Sequence, residues 1–173
     1  HSGVTTINEP VQIKRGETAV IRAHGITPQV QQELEYSASK VVDATCPFVT
    51  RVQRLASRAA AADRHVIVVG NPDHPEMIGV KGYAPEHAFI IRDETEVEEL
   101  PRLRRPLVVS QTTIKVKTFF DTAEAIRSKT DDEVEVVNTI CSATKDRQEA
   151  ARALAVIQHL HLHLAHRDIG IHT

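Results

Sequence analysis

Short runs of apolar, mostly β-branched residues alternate with helix-like stretches along this chain, and the alternation is the strongest constraint on its fold. Two of the runs, HVIVVG at residues 65–70 and PLVVSQ at 106–111, are almost continuously apolar. Such strands are buried on both faces, as in a parallel sheet that is covered by crossover helices. The pattern therefore predicts an α/β protein with parallel sheets and flanking helices.

The individual elements follow from the same runs and from proline positions. Strands are predicted at residues 18–23, 40–45, 65–70, 87–92, 106–111 and 134–138. Helices are predicted at residues 28–37, 47–61, 115–127 and from about 144. Pro28 and Pro47 stand where the first turns of the first two helices would begin.

Charge and hydropathy narrow the classes of partner. The chain has 173 residues, and its net charge of −2 comes from 21 basic and 23 acidic residues that are scattered along it. No basic stripe exists that could neutralise nucleic-acid phosphates, so we expect no nucleic-acid partner. No apolar run approaches the roughly 20 residues that span a bilayer, and the chain starts without a secretory signal. We therefore expect a soluble, cytoplasmic protein without a membrane partner.

Polar residues that can carry chemistry follow the predicted strands. Ligands of open parallel sheets bind at the carboxyl ends of the strands, so these residues are expected to share one rim of the molecule. The histidine and glutamate of the HPE sequence are predicted to lie on the loop after the third strand. The residues concerned are His24, Cys46, His74, Glu76, Thr112, Thr113 and Cys141.

The two cysteines occupy equivalent positions in two similar segments. VVDATCPFVTRVQ at residues 41–53 and VVNTICSATKDRQ at 136–148 align at an offset of 95 residues, which superimposes Cys46 on Cys141. A cysteine at a helix start is favoured as thiolate, which can ligate a metal or act as a nucleophile. The alternative is a small buried apolar side chain, but the repeat favours a shared soft-metal site.

The remaining candidates each have a functional and a structural interpretation. His74 and Glu76 flank a proline, so an imidazole that binds phosphate and a carboxyl group that relays protons could address one site. His24 could equally be a turn histidine. Thr112 and Thr113 could simply cap the next helix, a role compatible with phosphate binding.

Five stretches together resemble the LytB/IspH family, the 4-hydroxy-3-methylbut-2-enyl diphosphate reductases of the non-mevalonate isoprenoid pathway. The similarity is collinear from about residue 3 to about residue 155, and the long cysteine segments are its most specific part. The stretches are IRAHG, VVDATCPFVTRVQ, HPEMIG, VVSQTT and NTICSATKDRQEAAR.

The resemblance implies reductive dehydroxylation of an allylic diphosphate to isopentenyl and dimethylallyl diphosphates, with a 4Fe-4S cluster and an electron donor such as ferredoxin or flavodoxin. It also implies a three-lobed pseudo-symmetric fold with one cluster cysteine in each lobe. Cys46 and Cys141 then resemble cluster ligands, and His24 and His74 resemble diphosphate-binding residues. Glu76 resembles the proton-delivering acid, and Thr112 the hydroxyl near the substrate that assists it.

The sequence also departs from the family pattern. Family members carry a further cysteine and histidine upstream, and a Ser/Asn-rich diphosphate clamp after the last cysteine helix, none of which is found here. We expect residues 1–45 to form the rear part of a first lobe, 46–140 a complete middle lobe, and 141–173 the beginning of a third. Residues 156–173 are atypical, because they hold five of the ten histidines in a strand-like alternation.

Two alternatives to an intact reductase stay open. With two thiols for a cluster, the chain by itself is expected to be an inactive fragment. It could instead be a non-catalytic diphosphate-binding protein that uses His24, His74 and Thr112. It could also be a zinc protein that uses Cys46, Cys141 and His74, although this leaves Glu76 without a role.

Overall fold

The computed structural model describes residues 3–144 and 146–155, in which helices alternate with the strands of two parallel sheets. The strands are β1 (Thr18–Ile21), β2 (Lys40–Asp43), β3 (Val66–Val69), β4 (Ala88–Ile91), β5 (Leu107–Ser110) and β6 (Glu135–Val136). The helices are α1 (Pro28–Ser37), α2 (Pro47–Ala61), α3 (Pro75–Gly82) and α4 (Val116–Lys129), with short 3-10 helices at Pro10–Gln12 and Glu94–Glu99. Residues 142–144 and 146–155 are also helical, and are called the C-terminal helix below.

The larger sheet has four parallel strands in the order β4-β3-β5-β6. Both central strands, β3 and β5, are buried at every position. Alternate residues of β3 face opposite sides: Val66 and Val68 pack with α2 and α3, whereas Ile67 and Val69 pack with α4. The prediction of an α/β fold with parallel sheets and flanking helices is thus confirmed.

The smaller sheet pairs β1 with β2 in parallel, with Val20 opposite Val42. Ala19 and Ile21 face α1 and form a small core with Leu34. On the other face Val20 is 59% exposed and Val42 39% exposed. The described residues therefore cover only one face of the smaller sheet, whereas they cover both faces of the larger one.

The prediction that His74 and Glu76 lie on the loop after β3 holds for His74, the N-cap at the end of that loop, and is wrong for Glu76, which lies in the first turn of α3. The helix is short and contains Gly79 and Gly82, which sequence patterns treat as helix breakers. Tertiary packing overrides that preference: a Cβ on Gly82 would come within 2.7 Å of the Thr27 side chain, so glycine permits a close approach of α3 to the start of α1. Other bounds agree closely, and α1 and α2 match their predicted ranges exactly as residues 28–37 and 47–61.

Within the described residues, no helix is both long and apolar enough to cross a membrane. The His-rich stretch at residues 156–173, with its predicted strand-like pattern, lies outside those residues.

Candidate functional site

Cys46 joins the smaller sheet to the larger one at the ends of the strands. It is the N-cap of α2, the third residue after the end of β2, and its thiol makes no capping hydrogen bond. The Cys46 amide donates to the Ala23 carbonyl at 3.0 Å, which holds the helix start beside the turn after β1. The thiol is free and half-buried, so it is placed next to the turn that carries His24 and at the positive end of the helix dipole.

His74 is the N-cap of α3, and its orientation is set by a local hydrogen bond. The Glu76 amide donates to His74 Nδ1 at 3.2 Å, while Pro75 occupies the first helical position. A ring nitrogen that accepts this bond leaves the proton of the neutral imidazole on Nε2. The His24 ring stands edge-on to the His74 ring with centroids 5.2 Å apart, so the two imidazoles form a pair of potential anion-binding donors.

Glu76 is a buried carboxyl group with two well-defined donors. It is 1% exposed, and it accepts hydrogen bonds from the Thr112 amide to Oε1 and from the Thr112 hydroxyl to Oε2, both at 2.8 Å. Burial of a carboxyl group is costly unless it is hydrogen-bonded in this way. The pair therefore ties the first turn of α3 to the segment after β5.

The expectation that Thr112 and Thr113 could cap the next helix is wrong. The N-cap of α4 is Lys115, and the Thr112 hydroxyl is instead committed to Glu76. Thr113 is exposed, and its hydroxyl accepts from the Gln111 side chain at 2.8 Å. Thr112 thus keeps its candidate role, whereas Thr113 belongs to the support of the loop.

Cys141 reaches the same segment from the end of β6. The Thr139 hydroxyl accepts from the Ser110 amide and donates to the Ser110 carbonyl, both at 2.8 Å, so it extends the pairing of β5 with the chain after β6. The Cys141 amide then donates to the Thr112 carbonyl at 2.9 Å. The half-buried thiol of Cys141 is consequently anchored next to Thr112 and at the start of the C-terminal helix.

A continuous set of contacts connects six of the seven site residues that the sequence predicts, all except Thr113. It runs from the Cys46 amide through the His24 turn to the His74 ring, and from Glu76 through Thr112 to the Cys141 amide. The structure thus brings these residues to one side of the molecule. These residues are His24, Cys46, His74, Glu76, Thr112 and Cys141. Their chemical roles stay predictions.

Sequence reasoning missed two residues that shape this rim, Gln111 and Gly70. The Gln111 Oε1 accepts from the Asn71 amide at 3.0 Å, which links the loop after β3 to the loop after β5. A Cβ on Gly70 would lie 2.8 Å from the Gln111 Cβ, so glycine is required for this close approach. The polar run after VVS signals a special loop, but only the fold identifies its partner.

Within the described ranges 3–144 and 146–155, no group of three or more His, Cys, Asp or Glu side chains could hold a metal ion. The proposed zinc set of Cys46, Cys141 and His74 is therefore not assembled there as a ligand group. The chain has two cysteines in all, which fit part of the thiolate set of an iron-sulfur cluster and do not complete it.

Comparison with known proteins identifies the relatives of this fold. A family model described as LytB protein matches residues 1–162. The chain belongs to the LytB protein family. The family resemblance expected from the motifs is thereby confirmed.

Two curated relatives of this LytB chain are 4-hydroxy-3-methylbut-2-enyl diphosphate reductases. The protein from Caldanaerobacter subterraneus subsp. tengcongensis is 38% identical over 155 residues, which are 88% of this chain and 54% of that protein. The protein from Campylobacter curvus is 40% identical over 152 residues, or 88% and 55% of the two chains. The LytB chain thus spans about half the length of the curated relatives it matches.

Two solved structures have the same arrangement of elements. One is described as the structure of (E)-4-hydroxy-3-methyl-but-2-enyl diphosphate reductase, the terminal enzyme of the non-mevalonate pathway. It has a TM-score of 0.72 and is 34% identical, and the match covers 83% of this chain and 52% of that one. The other, the E-1-hydroxy-2-methyl-but-2-enyl-4-diphosphate reductase from Plasmodium falciparum, has a TM-score of 0.77 and 27% identity, over 83% and 46%. The described residues therefore have the fold of about half of each structure.

Proposed function

We propose that this LytB chain forms part of a 4-hydroxy-3-methylbut-2-enyl diphosphate reductase of isoprenoid biosynthesis. The observation that carries the proposal is the buried Glu76–Thr112 pair. The Glu76 amide links this pair to His74 of the His24–His74 pair, and the Thr112 carbonyl links it to the amide of Cys141, whose thiol is free. The names of the relatives support the reaction class, and the residue types fit its substrate. The proposed reaction replaces the allylic hydroxyl by hydrogen and releases it as water, with uptake of two electrons and two protons.

His24 and His74 are proposed to bind the diphosphate. Each imidazole can present an N–H donor, and the bond from the Glu76 amide to His74 Nδ1 directs the donor to Nε2. Hydrogen bonds to a phosphate are charge-assisted and correspondingly strong. The short distance between the rings, 5.2 Å between centroids, supports the proposal that one diphosphate group accepts from both imidazoles.

Glu76 is proposed to deliver a proton to the substrate through the hydroxyl group of Thr112. The carboxyl group is almost fully buried, and Oε2 is hydrogen-bonded to the Thr112 hydroxyl, so a proton that leaves Glu76 passes through that hydroxyl. The second bond, from the Thr112 amide, fixes the plane of the carboxyl group. General acids positioned in this way contribute about 10²–10⁴ to a rate.

Cys46 and Cys141 are proposed to be two of the ligands of a 4Fe-4S cluster. When bound, such a cluster would supply the electrons for removal of the hydroxyl, received from a ferredoxin or flavodoxin in the cytoplasm. We propose that residues 1–45, 46–140 and 141–173 correspond to part of a first lobe, a middle lobe and the beginning of a third lobe of the reductase. Because the chain has two cysteines in all, the remaining cluster ligands of the proposed site would come from other parts of the reductase. By itself the chain is proposed to keep diphosphate binding without turnover.

The test is a chimera in which residues 3–155 replace the matching segment of the Caldanaerobacter reductase. We expect anaerobically reconstituted chimera to bind iron and sulfide and to reduce the substrate. Glu76→Gln should retain iron and sulfide and lose about 10²-fold or more in turnover. Glu86→Gln, which changes an exposed glutamate away from the rim, is the matched control and should be active.

The cysteine variants test the other half of the proposal. Cys46→Ser and Cys141→Ser in the chimera should each lower iron and acid-labile sulfide, because a hydroxyl is a poor replacement for a thiolate ligand. An active Glu76→Gln variant would remove the proton-delivery role. A chimera that loads iron and sulfide fully without either cysteine would remove the cluster role.

A further inference from the structure

Gln53 is an unusual residue on the buried face of α2. The other buried residues of this helix are aliphatic, namely Val49, Val52, Ala56 and Ala59, whereas Gln53 is an amide that is 5% exposed. Its Nε2 has no hydrogen-bond partner among the residues that the structure describes. A buried amide left without a partner is unfavourable, so its presence requires a reason other than stability.

The Gln53 amide lies between two glycines from different segments, one in the turn after β1 and one in α3. A Cβ on Gly25, which has φ +70° and directly follows His24, would lie 2.5 Å from Gln53 Nε2. A Cβ on Gly79, in the helix that His74 caps, would lie 3.6 Å from the same nitrogen and 3.7 Å from the His24 carbonyl oxygen. The amide therefore fills the place at which the turn, α2 and α3 converge.

Empty space lies next to this contact. A cavity of about 210 Å³ is lined by residues that include Ile21, Thr45, Gln53 and Tyr83. Protein interiors are close-packed, so the turn after β1 has room to move on this side unless the Gln53 head group blocks it. A shorter side chain at position 53 would enlarge this cavity, whose lining residues Thr45 and Gln53 are the neighbours that a Cβ on Gly25 would meet.

We propose that Gln53 is a positioning residue, whose amide head holds the His24 turn at a fixed distance from the start of α3 and so sets the spacing of the His24 and His74 rings. Gln53 contacts the backbone that carries the histidines and acts through them. The proposal rests on the proposed function in one respect, the binding of a diphosphate by these two rings.

The first measurement is the proximity of the two rings in the full chain without ligand. Nuclear Overhauser effects between ring protons of His24 and His74 report the 5.2 Å edge-on arrangement. We expect Gln53→Ala to abolish them and Gln53→Met to keep them, because methionine preserves the length and volume of the side chain. Unchanged effects in Gln53→Ala would overturn the proposal.

The second measurement is affinity for inorganic pyrophosphate by calorimetry. Gln53→Ala should bind about tenfold more weakly than the parent, the change expected when a charge-assisted hydrogen bond is misplaced. Gln53→Met should restore binding. Val52→Ala, on the same helix and fully buried in the core, is the control: it should lose stability and keep its affinity.

These two readouts separate this proposal from the proposed function. If the parent chain binds no pyrophosphate, the proposed anion site of His24 and His74 is contradicted. The nuclear Overhauser effects between the two rings still decide whether Gln53 sets the distance between them. Equal losses of affinity in Val52→Ala and Gln53→Ala would show a general loss of structure and would overturn the positioning role.

A third comparison remains informative if Gln53→Ala alone does not fold. Gly25→Ala drives a methyl group into the amide, whereas Gly16→Ala adds a methyl group at another positive-φ glycine, φ +97°, with nothing within 4 Å. Gly25→Ala should therefore be the less stable of the two. The double variant Gly25→Ala/Gln53→Ala should have a higher unfolding midpoint than Gly25→Ala alone, because the added methyl group enters the space that the amide leaves. A lower midpoint in the double variant would show that Gln53 does not contact Gly25.

Discussion

The two sheets of this molecule differ in how completely they are covered. In the four-stranded sheet, β3 and β5 are buried at every position, with α2 and α3 on one face and α4 on the other. In the two-stranded sheet, Val20 and Val42 face outward from neighbouring positions. Apolar burial is the main favourable term in folding, so the larger sheet supplies most of the stability of the described residues.

The candidate site draws on both sheets, and the difference separates its parts. Glu76 and Thr112 lie on segments that follow β3 and β5 of the larger sheet, and their spacing is fixed by two hydrogen bonds and a packed core. His24 follows β1 of the smaller sheet, so its placement depends on contacts with α2 and α3 such as the Gln53–Gly25 contact. The half of the site assigned to proton delivery is thus better defined by this chain than the half assigned to phosphate binding.

A matched pair of valine truncations tests this difference most directly. Val68→Ala should lower the free energy of unfolding by about 2.5 kcal/mol, because it removes two buried methyl groups and leaves a cavity. Val20→Ala removes the same atoms from an exposed position and should change it by less than about 0.5 kcal/mol. Urea unfolding measures both, and equal losses would show that the smaller sheet is covered as completely as the larger one.

The Glu76–Thr112 pair gives the next largest effect. Thr112→Val keeps the shape of the side chain but leaves Glu76 Oε2 without its hydroxyl donor, which should cost about 1.5 kcal/mol. Thr122→Val is the control: this buried hydroxyl donates to the Thr118 carbonyl within α4, a bond that adds little to helix stability. If the two variants unfold at the same urea concentration, the pair does not stabilise the larger sheet.

The sequence predicted those elements whose signals are local. The bounds of α1 and α2 follow from Pro28 and Pro47 and from apolar periodicity, and β3 and β5 follow from their continuous apolar runs. The helix after His74 was missed because its glycines are explained only by their contacts with segments far away in the chain. Local propensity cannot reveal such a cause.

The candidate site divides in the same way. The motifs at the strand ends identify which residues to consider, and the family resemblance assigns their roles. The bonds of Glu76 to Thr112 join positions 36 residues apart, so the threonine could not be distinguished from a helix cap before the fold was known. Gln53 Nε2, which has no hydrogen-bond partner within the described residues, is likewise not recognisable from the sequence, where Gln53 is one more residue of an amphipathic helix.

The smallest expected effect concerns His65, which immediately precedes β3 in the larger sheet. Burial is the main cause that lowers the pKa of His65, and the positive charge of Arg104 lowers this pKa further. The Arg104 guanidinium also donates to His65 Nε2 at 3.4 Å, which requires that nitrogen to be unprotonated. Asp63 opposes the shift and His87 adds to it.

The direction of the pH dependence follows from proton uptake. Near and below the ordinary histidine pKa of about 6.5, the unfolded chain takes up a proton at position 65 that the folded chain resists, so stability falls as pH decreases. His65→Gln removes this contribution, and its unfolding free energy should decline less between about pH 7 and pH 5 than that of the parent. If the stability curves of the two proteins are parallel, His65 titrates equally in the folded and unfolded states.

Because His65 lies before β3 and the candidate site lies after it, His65→Gln should leave pyrophosphate affinity at neutral pH unchanged. This result would separate the stability of the larger sheet from the function of its opposite end.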